Sequence, residues 1–332
     1  MALRFIDSFD HYDSAHIINK YDTVNGSPTI VSGGRNSTNR LYLANGTSVN
    51  KDFDFLSTCY CGFAFKYTGS STNDDAFFAV YFGLFDVLYF RMAPGTDHKI
   101  HIYKNASLLG NSDAAKTLEP DTWYFLEFKV IANSVSGYIE IKRDGETIFT
   151  YTGDTNDDAD PTTVFMFIGM TSGNWVEDLY ILDSAGSTNN DFLGDCRVEC
   201  LFPSANGTTN EWTPSTGSNY ANVDDTVPDD DSTYNKSLSS NQIDLYAFGN
   251  LSESNGTVYG VQSLIYAKKS NSDAHTNAIV VRTSSTNYVG DTNTLTTSYD
   301  YYSQVFETDP NDSSQWTIAK VNAAEFGVKS LS

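Results

Sequence analysis

Ten residues, Thr58-Cys59-Tyr60-Cys61-Gly62-Phe63-Ala64-Phe65-Lys66-Tyr67, narrow the folds open to this chain more than any other stretch. Cys59, Cys61, Phe63 and Phe65 stand at every second position, so an extended backbone turns all four to one face. A helix would spread them around its circumference. Similar runs recur along the first half: residues 3–9, 76–82, 87–92, 99–104, 122–130 and 164–169 are short, β-branched or aromatic, and bounded by turn residues. Gly137 to Arg143 and Thr147 to Tyr151 flank Asp144-Gly145, the dipeptide of a tight hairpin. Roughly a dozen short strands separated by turns predict an all-β, two-sheet sandwich.

The run Val176-Glu177-Asp178-Leu179-Tyr180-Ile181-Leu182 closes this unit, and Ser187-Thr188-Asn189-Asn190 follows as a polar connector. At 332 residues the chain is long enough for two domains, and the division is expected as 1–186 and 187–332. Residues 195–201 alternate polar and apolar, which predicts a strand that Pro203 stops. Further strands are expected at 242–248, 258–267, 278–282 and 299–306, the last of them. One helix is expected over 316–324, capped by Ser313 or Ser314 and stopped at Gly327.

Charge excludes whole classes of partner. The chain carries 42 acidic against 20 basic residues, a formal net charge of −22. Nucleic acids and anionic membrane surfaces are recognised through clustered Lys and Arg, so neither is an expected partner. No apolar run is long enough to span a bilayer, and residues 1–7 lack an apolar leader, so the chain is expected to stay in the cytoplasm where it is made. Asn-x-Ser/Thr triplets at Asn36, Asn45, Asn105, Asn206 and Asn255 are read as chance in a chain rich in these residues.

Candidate chemistry is sparse. Cys59/Cys61 and Cys196/Cys200 are read as reduced thiols on strands, since a zinc site needs all four to converge. A glycosidase of the sandwich type needs two carboxylates across one cleft. Glu177, Asp178 and Glu140 are the nearest candidates, but adjacent acids on a strand face opposite sides, so Glu177 and Asp178 are not expected to pair. His11, His16, His98, His101 and His275 lie outside any nucleophile-elbow motif. The pair His11/His16 and the flanking pair His98/His101 are read as surface histidines. Residues 154–160 place oxygen donors at alternate positions, as some calcium loops do, but lack the central Gly and the downstream Glu. Asp224/Asp225 and Asp229 to Asp231 raise the same question. On these grounds no catalytic, metal or cofactor residue is assigned, and the ligand-binding residues are left open.

The order Trp123-Tyr124, then Arg143-Asp144-Gly145, then the terminal strand Val176 to Ile181 resembles the concanavalin A-like (laminin G-like) jelly roll over about residues 1–183. Residues 192–237 and 307–330, the latter with Asp309-Pro310, Trp316-Thr317 and Glu325-Phe326-Gly327, resemble a family of virion structural proteins of tailed bacteriophages. That family pairs a lectin-type sandwich with a smaller β domain. Where it has Val or Thr, this chain has Cys196 and Cys200. The resemblance implies a virion protein of the tail or the capsid surface, non-enzymatic, multi-copy, packed against other virion proteins and assembled in a host bacterial cytoplasm. Attachment is expected through the second domain, with Trp212, Tyr220, Tyr234, Tyr299, Tyr301, Tyr302 and Trp316 shared between interface and core. The alternative is a carbohydrate-binding adhesin that grips a host glycan with the first sandwich.

Overall fold

The two faces of the Thr58–Tyr67 strand set the layers of the first unit. In a computed structural model, residues 2–36, 38–54, 56–69, 75–83, 86–157, 163–170 and 173–332 are described. The chain divides into two compact units, Met1–Val198 and Glu199–Ser332.

The first unit is built from two antiparallel sheets. One runs in the order Glu146–Gly153, Gly137–Arg143, Tyr124–Ile131, Thr58–Tyr67, Asn174–Asp183, Asn39–Leu43, Thr29–Ser32, with Leu3–Asp7 also pairing Asn174–Asp183. The other runs Ser107–Asn111, Ile100–Lys104, Asp86–Met92, Asp75–Phe82, Thr163–Met170, Thr47–Asp54, Thr23–Asn25. Consecutive strands at one end of each sheet and crossovers at the other make this a jelly roll of the concanavalin A-like kind, as the alternating runs predict. Between the sheets, Phe128 packs its ring 4.6 Å from Phe78 and 4.9 Å from Phe90, and Phe65 lies 4.7 Å from Phe77. Cys59 and Cys61 are buried on the same face, where desolvation pushes the Cys59 thiol up to about 12 and Cys61 upward as well. Both are free thiols, as are the half-buried Cys196 and Cys200.

The second unit holds a five-stranded sheet, Pro203–Asn210, Ile243–Phe248, Glu325–Ser330, Thr276–Thr283, Thr286–Thr294, and two ribbons, Thr213–Pro214 with Asn235–Lys236 and Val261–Ala267 with Asp300–Phe306. Its core gathers Trp316, Val281, Val321, Ala324 and Phe326. Trp316 is 2% exposed and donates its indole N–H to the Phe306 carbonyl at 2.9 Å, so it belongs to the core side of the expected division of aromatic residues.

Five sequence expectations change. Residues 195–201 form no strand; the Cys196 carbonyl and the Val198 N–H are taken by the Arg35 and Asp178 side chains rather than by a neighbouring ladder. Pro203 opens a strand instead of stopping one; it stands at the first position of a sheet-edge strand, where its missing N–H is tolerated. The helix is shorter, Ile318–Ala323, and Thr317 caps it by accepting from the Lys320 N–H. After it comes one more strand, Glu325–Ser330, with Gly327 inside it. A side chain at Gly327 would run into the Asp244 carbonyl of the neighbouring strand, so the glycine permits close strand approach and does not end a helix. The division of the chain was expected after residue 186, whereas residues 187–198 group with the first unit. Among the described residues, no helix is long and apolar enough to cross a membrane.

Candidate functional site

The Asn174–Asp183 strand has one continuous partner and one interrupted edge. Along Thr58–Tyr67 its register runs Glu177 to Ala64 and then Tyr180 to Gly62, so one extra residue is inserted. On the other edge it pairs with Asn39–Leu43 through 174–176 and with Leu3–Asp7 through 179–182. Asp178 sits in the gap with φ 53°, a β-bulge that reverses the usual alternation. Contrary to the alternation rule, Glu177 and Asp178 therefore face the same partner.

That partner is Arg35. Its backbone N–H donates to Glu177 Oε2 at 2.6 Å and its Nε to Asp178 Oδ2 at 2.7 Å. Nη1 reaches Asp195 Oδ1 at 2.6 Å and Nη2 the Cys196 carbonyl at 2.5 Å, while the guanidinium lies 5.2 Å from the Phe125 ring centroid. The Thr38 hydroxyl also donates to Glu177. The Val198 N–H donates to Asp178 Oδ1 at 2.7 Å. Two strands away, Glu127 accepts from the Tyr180 hydroxyl at 2.6 Å and from the Gly194 N–H at 2.8 Å. Gly62 makes room for Tyr180, whose ring occupies the space a β-carbon would need.

Burial raises the Glu177 and Asp178 carboxyls above their ordinary values; hydrogen bonds from Thr38 and Arg35 oppose this at Glu177, and those from Val198 and Arg35 at Asp178. Burial likewise pushes the Cys196 thiol up to about 12. Glu127 and Glu177 are 1% exposed and Asp178 2%, so the cluster offers no opening to a substrate. Its chemistry is that of a fastener, tying residues 193–198 onto the sheet.

The open site lies on the outer face of the other sheet. Tyr89 and Tyr103 stand opposite each other across two strands, and the Arg91 guanidinium lies 4.8 Å from each ring centroid. Tyr81 packs edge-on against Tyr89, ring centroids 5.9 Å apart, and its hydroxyl donates to the Tyr89 hydroxyl at 3.4 Å. A shallow groove of ≈ 600 Å³ is lined by Val87, Tyr89, Arg91, Tyr103, Asn105 and Ala106. Asn105 stiffens its wall: Oδ1 accepts from the Val87 N–H at 3.0 Å and Nδ2 donates to Asp86 at 3.1 Å. Sequence reasoning found both strands but not this face. The signal was Tyr89 and Arg91 at i and i+2, opposite in phase to the core residues Leu88, Phe90 and Met92.

The sequence candidates scatter. His16 pairs with Asp13 at 2.7 Å, His98 Nδ1 lies 2.5 Å from the Tyr67 hydroxyl, and His101 is 3.9 Å from Asp97. Glu140 accepts from Thr147 at 2.7 Å, away from the bulge acids. Asp154 and Asp157 clasp Lys104 at 2.5 and 2.8 Å, so a cation is already present in that loop; Asp158 and Asp160 lie outside the described residues. Asp230 and Asp231 bind the Tyr266 and Tyr299 hydroxyls, and Asp231 also binds Lys268 at 2.7 Å. No group of three metal-ligating side chains occurs among the described residues.

His11 is not the surface residue expected. Burial pushes its imidazole well below its ordinary value, with Lys20 as a lesser cause. The unfolded chain therefore takes up a proton on this residue before the native protein does, and stability falls as pH drops below about 6.5. Wild type should lose about 1.4 kcal/mol more than His11→Gln between about pH 7.5 and about pH 5.5. Urea denaturation at the two values reads the difference, and parallel pH profiles would remove His11 as its source.

No protein-family model matches the chain, and no curated protein matches its sequence. Solved structures similar to it include the alginate lyase Aly36B (TM-score 0.43, 10% identity, 54% of this chain and 97% of that one). An endo-β-1,4-glucuronan lyase from the fungus Trichoderma reesei is similar at TM-score 0.39 and 10% identity, over 55% of this chain and 95% of that one. A prokaryotic β-1,3-1,4-glucanase from a mouse hindgut metagenome is similar at 0.34 and 13%, over 54% and 98%. None of these three structures is described as a phage virion protein. The expectation of a chain without enzymatic activity is corrected in its premise: Glu177 and Asp178, expected to face apart, both bond Arg35 at the bulge, and the similar structures named here are two lyases and a glucanase.

Proposed function

We propose that the first unit binds a carbohydrate in the groove of Tyr89, Tyr103 and Arg91. The observation that supports this most directly is an aromatic surface left open on a sheet whose other face is fully packed. Tyrosine offers an apolar ring to the C–H face of a sugar and a hydroxyl to its edge. Arg91, held against two rings, carries the planar donors of a guanidinium, which suit ring oxygens and hydroxyls. The groove is shallow and open along the sheet, a shape that admits a length of glycan chain more readily than a small enclosed ligand.

The test is a panel of polysaccharides and oligosaccharides titrated against the whole chain by affinity electrophoresis and calorimetry. Tyr89→Ala and Tyr103→Ala should each weaken the best ligand about tenfold, the scale of a central aromatic contact. Absence of binding across the panel, or binding that survives the double substitution, would sink the assignment.

A further inference from the structure

The outer face of the larger sheet carries a second aromatic surface with a different charge. Register places Tyr42 opposite Trp175 and Trp175 opposite Lys66. Trp123 precedes Tyr124, the partner of Phe65, and so stands beside Lys66. One row of side chains thus crosses four neighbouring segments of chain. Lys66 Nζ lies 4.8 Å from the Trp175 ring centroid and 5.3 Å from that of Trp123, held between the two indoles. The Arg40 guanidinium also lies 4.9 Å from the Trp175 ring centroid, and the Tyr42 ring lies 5.5 Å away at a 38° tilt. All five side chains are partly exposed.

The charge balance of this row is unusual for the molecule. Acidic residues outnumber basic ones 42 to 20, and Arg4, Arg35, Lys51 and Lys104 each face a carboxylate. Among the described residues neither Lys66 nor Arg40 does. An indole face satisfies a cation in part, yet leaves its N–H groups free to take an anion. Flat apolar rings alternating with unpaired cations complement a ligand that alternates in the same way: a sugar ring bearing a carboxylate.

We propose that the row Trp123, Lys66, Trp175, Tyr42, with Arg40 beside it, is a binding site for a polyuronate chain, sugar faces lying on the indoles and carboxylates meeting Lys66 and Arg40. The site is on the opposite sheet from the tyrosine groove and stands independently of it. The protein's net negative charge does not prevent this, because charges farther than about 8 Å are screened at physiological ionic strength and the local cations dominate.

The experiment is calorimetric titration of the whole chain with a short oligogalacturonate and with a neutral cello-oligosaccharide of equal length. A chelator is included so that divalent ions do not bridge acidic protein to acidic sugar. The uronate should bind at least about tenfold more tightly than the neutral sugar, about 1.4 kcal/mol. Lys66→Met should remove most of that preference, Lys66→Arg should retain it, and Trp175→Ala should weaken both ligands, with circular dichroism showing each variant folded. Equal affinity for charged and neutral sugars, no heat with the uronate, or an unaffected Lys66→Met would each overturn the proposal.

Discussion

Arg35→Ala is expected to lower the unfolding free energy of the first unit by about 3–5 kcal/mol, since it leaves the buried Asp178 carboxylate without its cation. The Arg35 guanidinium spans Asp178, Asp195 and the Cys196 carbonyl at once, so its loss also unties the segment around residues 193–198, while the backbone N–H keeps its bond to Glu177. The pH dependence follows from the raised carboxyls. Both carboxyls hold protons in the native state that the unfolded chain has already released, so their contribution to stability falls as pH rises from about 4 through their raised values. Arg35 limits that fall. Without it the deficit should be largest near neutral pH and smaller near about pH 4, as the fall in pH moves both raised acids toward their neutral forms. Urea denaturation at the two pH values checks this, and a deficit under about 1 kcal/mol, or an equal one at both, would show that the clamp contributes little. Arg35→Lys should fall between, because an ammonium cannot reach three acceptors in one plane.

The second large effect belongs to the other unit. Asp244 is fully buried, and its carboxylate accepts from the Trp212 N–H at 3.1 Å, Asn219 Nδ2 at 2.7 Å and the Tyr246 hydroxyl at 2.8 Å. Asn219 in turn accepts from Asn235, so one acid organises the turn around 219–222 and the short ribbon beside it. Asp244→Ala strands three donors in a space closed to water, and each buried donor left unsatisfied costs about 1–3 kcal/mol. Partial relaxation brings the expected total to about 4 kcal/mol. Hydrogen exchange should show the Ile243–Phe248 and Glu325–Ser330 amides losing protection while those of Thr58–Tyr67 keep theirs. Protection lost equally in both units would mean that the effect is not local to Asp244.

What was legible in the sequence was local. Phe63, Phe65, Cys59 and Cys61 share the buried face that their spacing assigns, and Asp144-Gly145 makes the expected tight turn, with φ 52° and 80°. Neither needs knowledge of a distant residue: period two follows from the pleat, and the turn from the low cost of positive φ at Asp and Gly. The strand Val261–Ala267, expected over 258–267, was legible for the same reason.

The bulge at Asp178 was not, because nothing within residues 176–182 requires it. Two different strands pair with the two ends of that edge, and the extra residue takes up the gap between them. Arg35 and Asp195 stand 160 positions apart, so no window along the chain contains the clamp. Residues 195–201 carry the alternation of a strand, yet their hydrogen bonds go to side chains that tertiary folding delivers, and those partners outweigh the local preference. The same holds for the row at Trp175: each residue is readable as half of an alternating strand, but only register places Lys66 between two indoles. The sequence by itself determined an acidic all-β chain with its core faces and tight turns, because these depend on backbone geometry within a few residues. The tertiary structure alone decided which acids are buried, which cations lack a counter-ion and which rings face water, because each depends on strands brought together from distant parts of the chain.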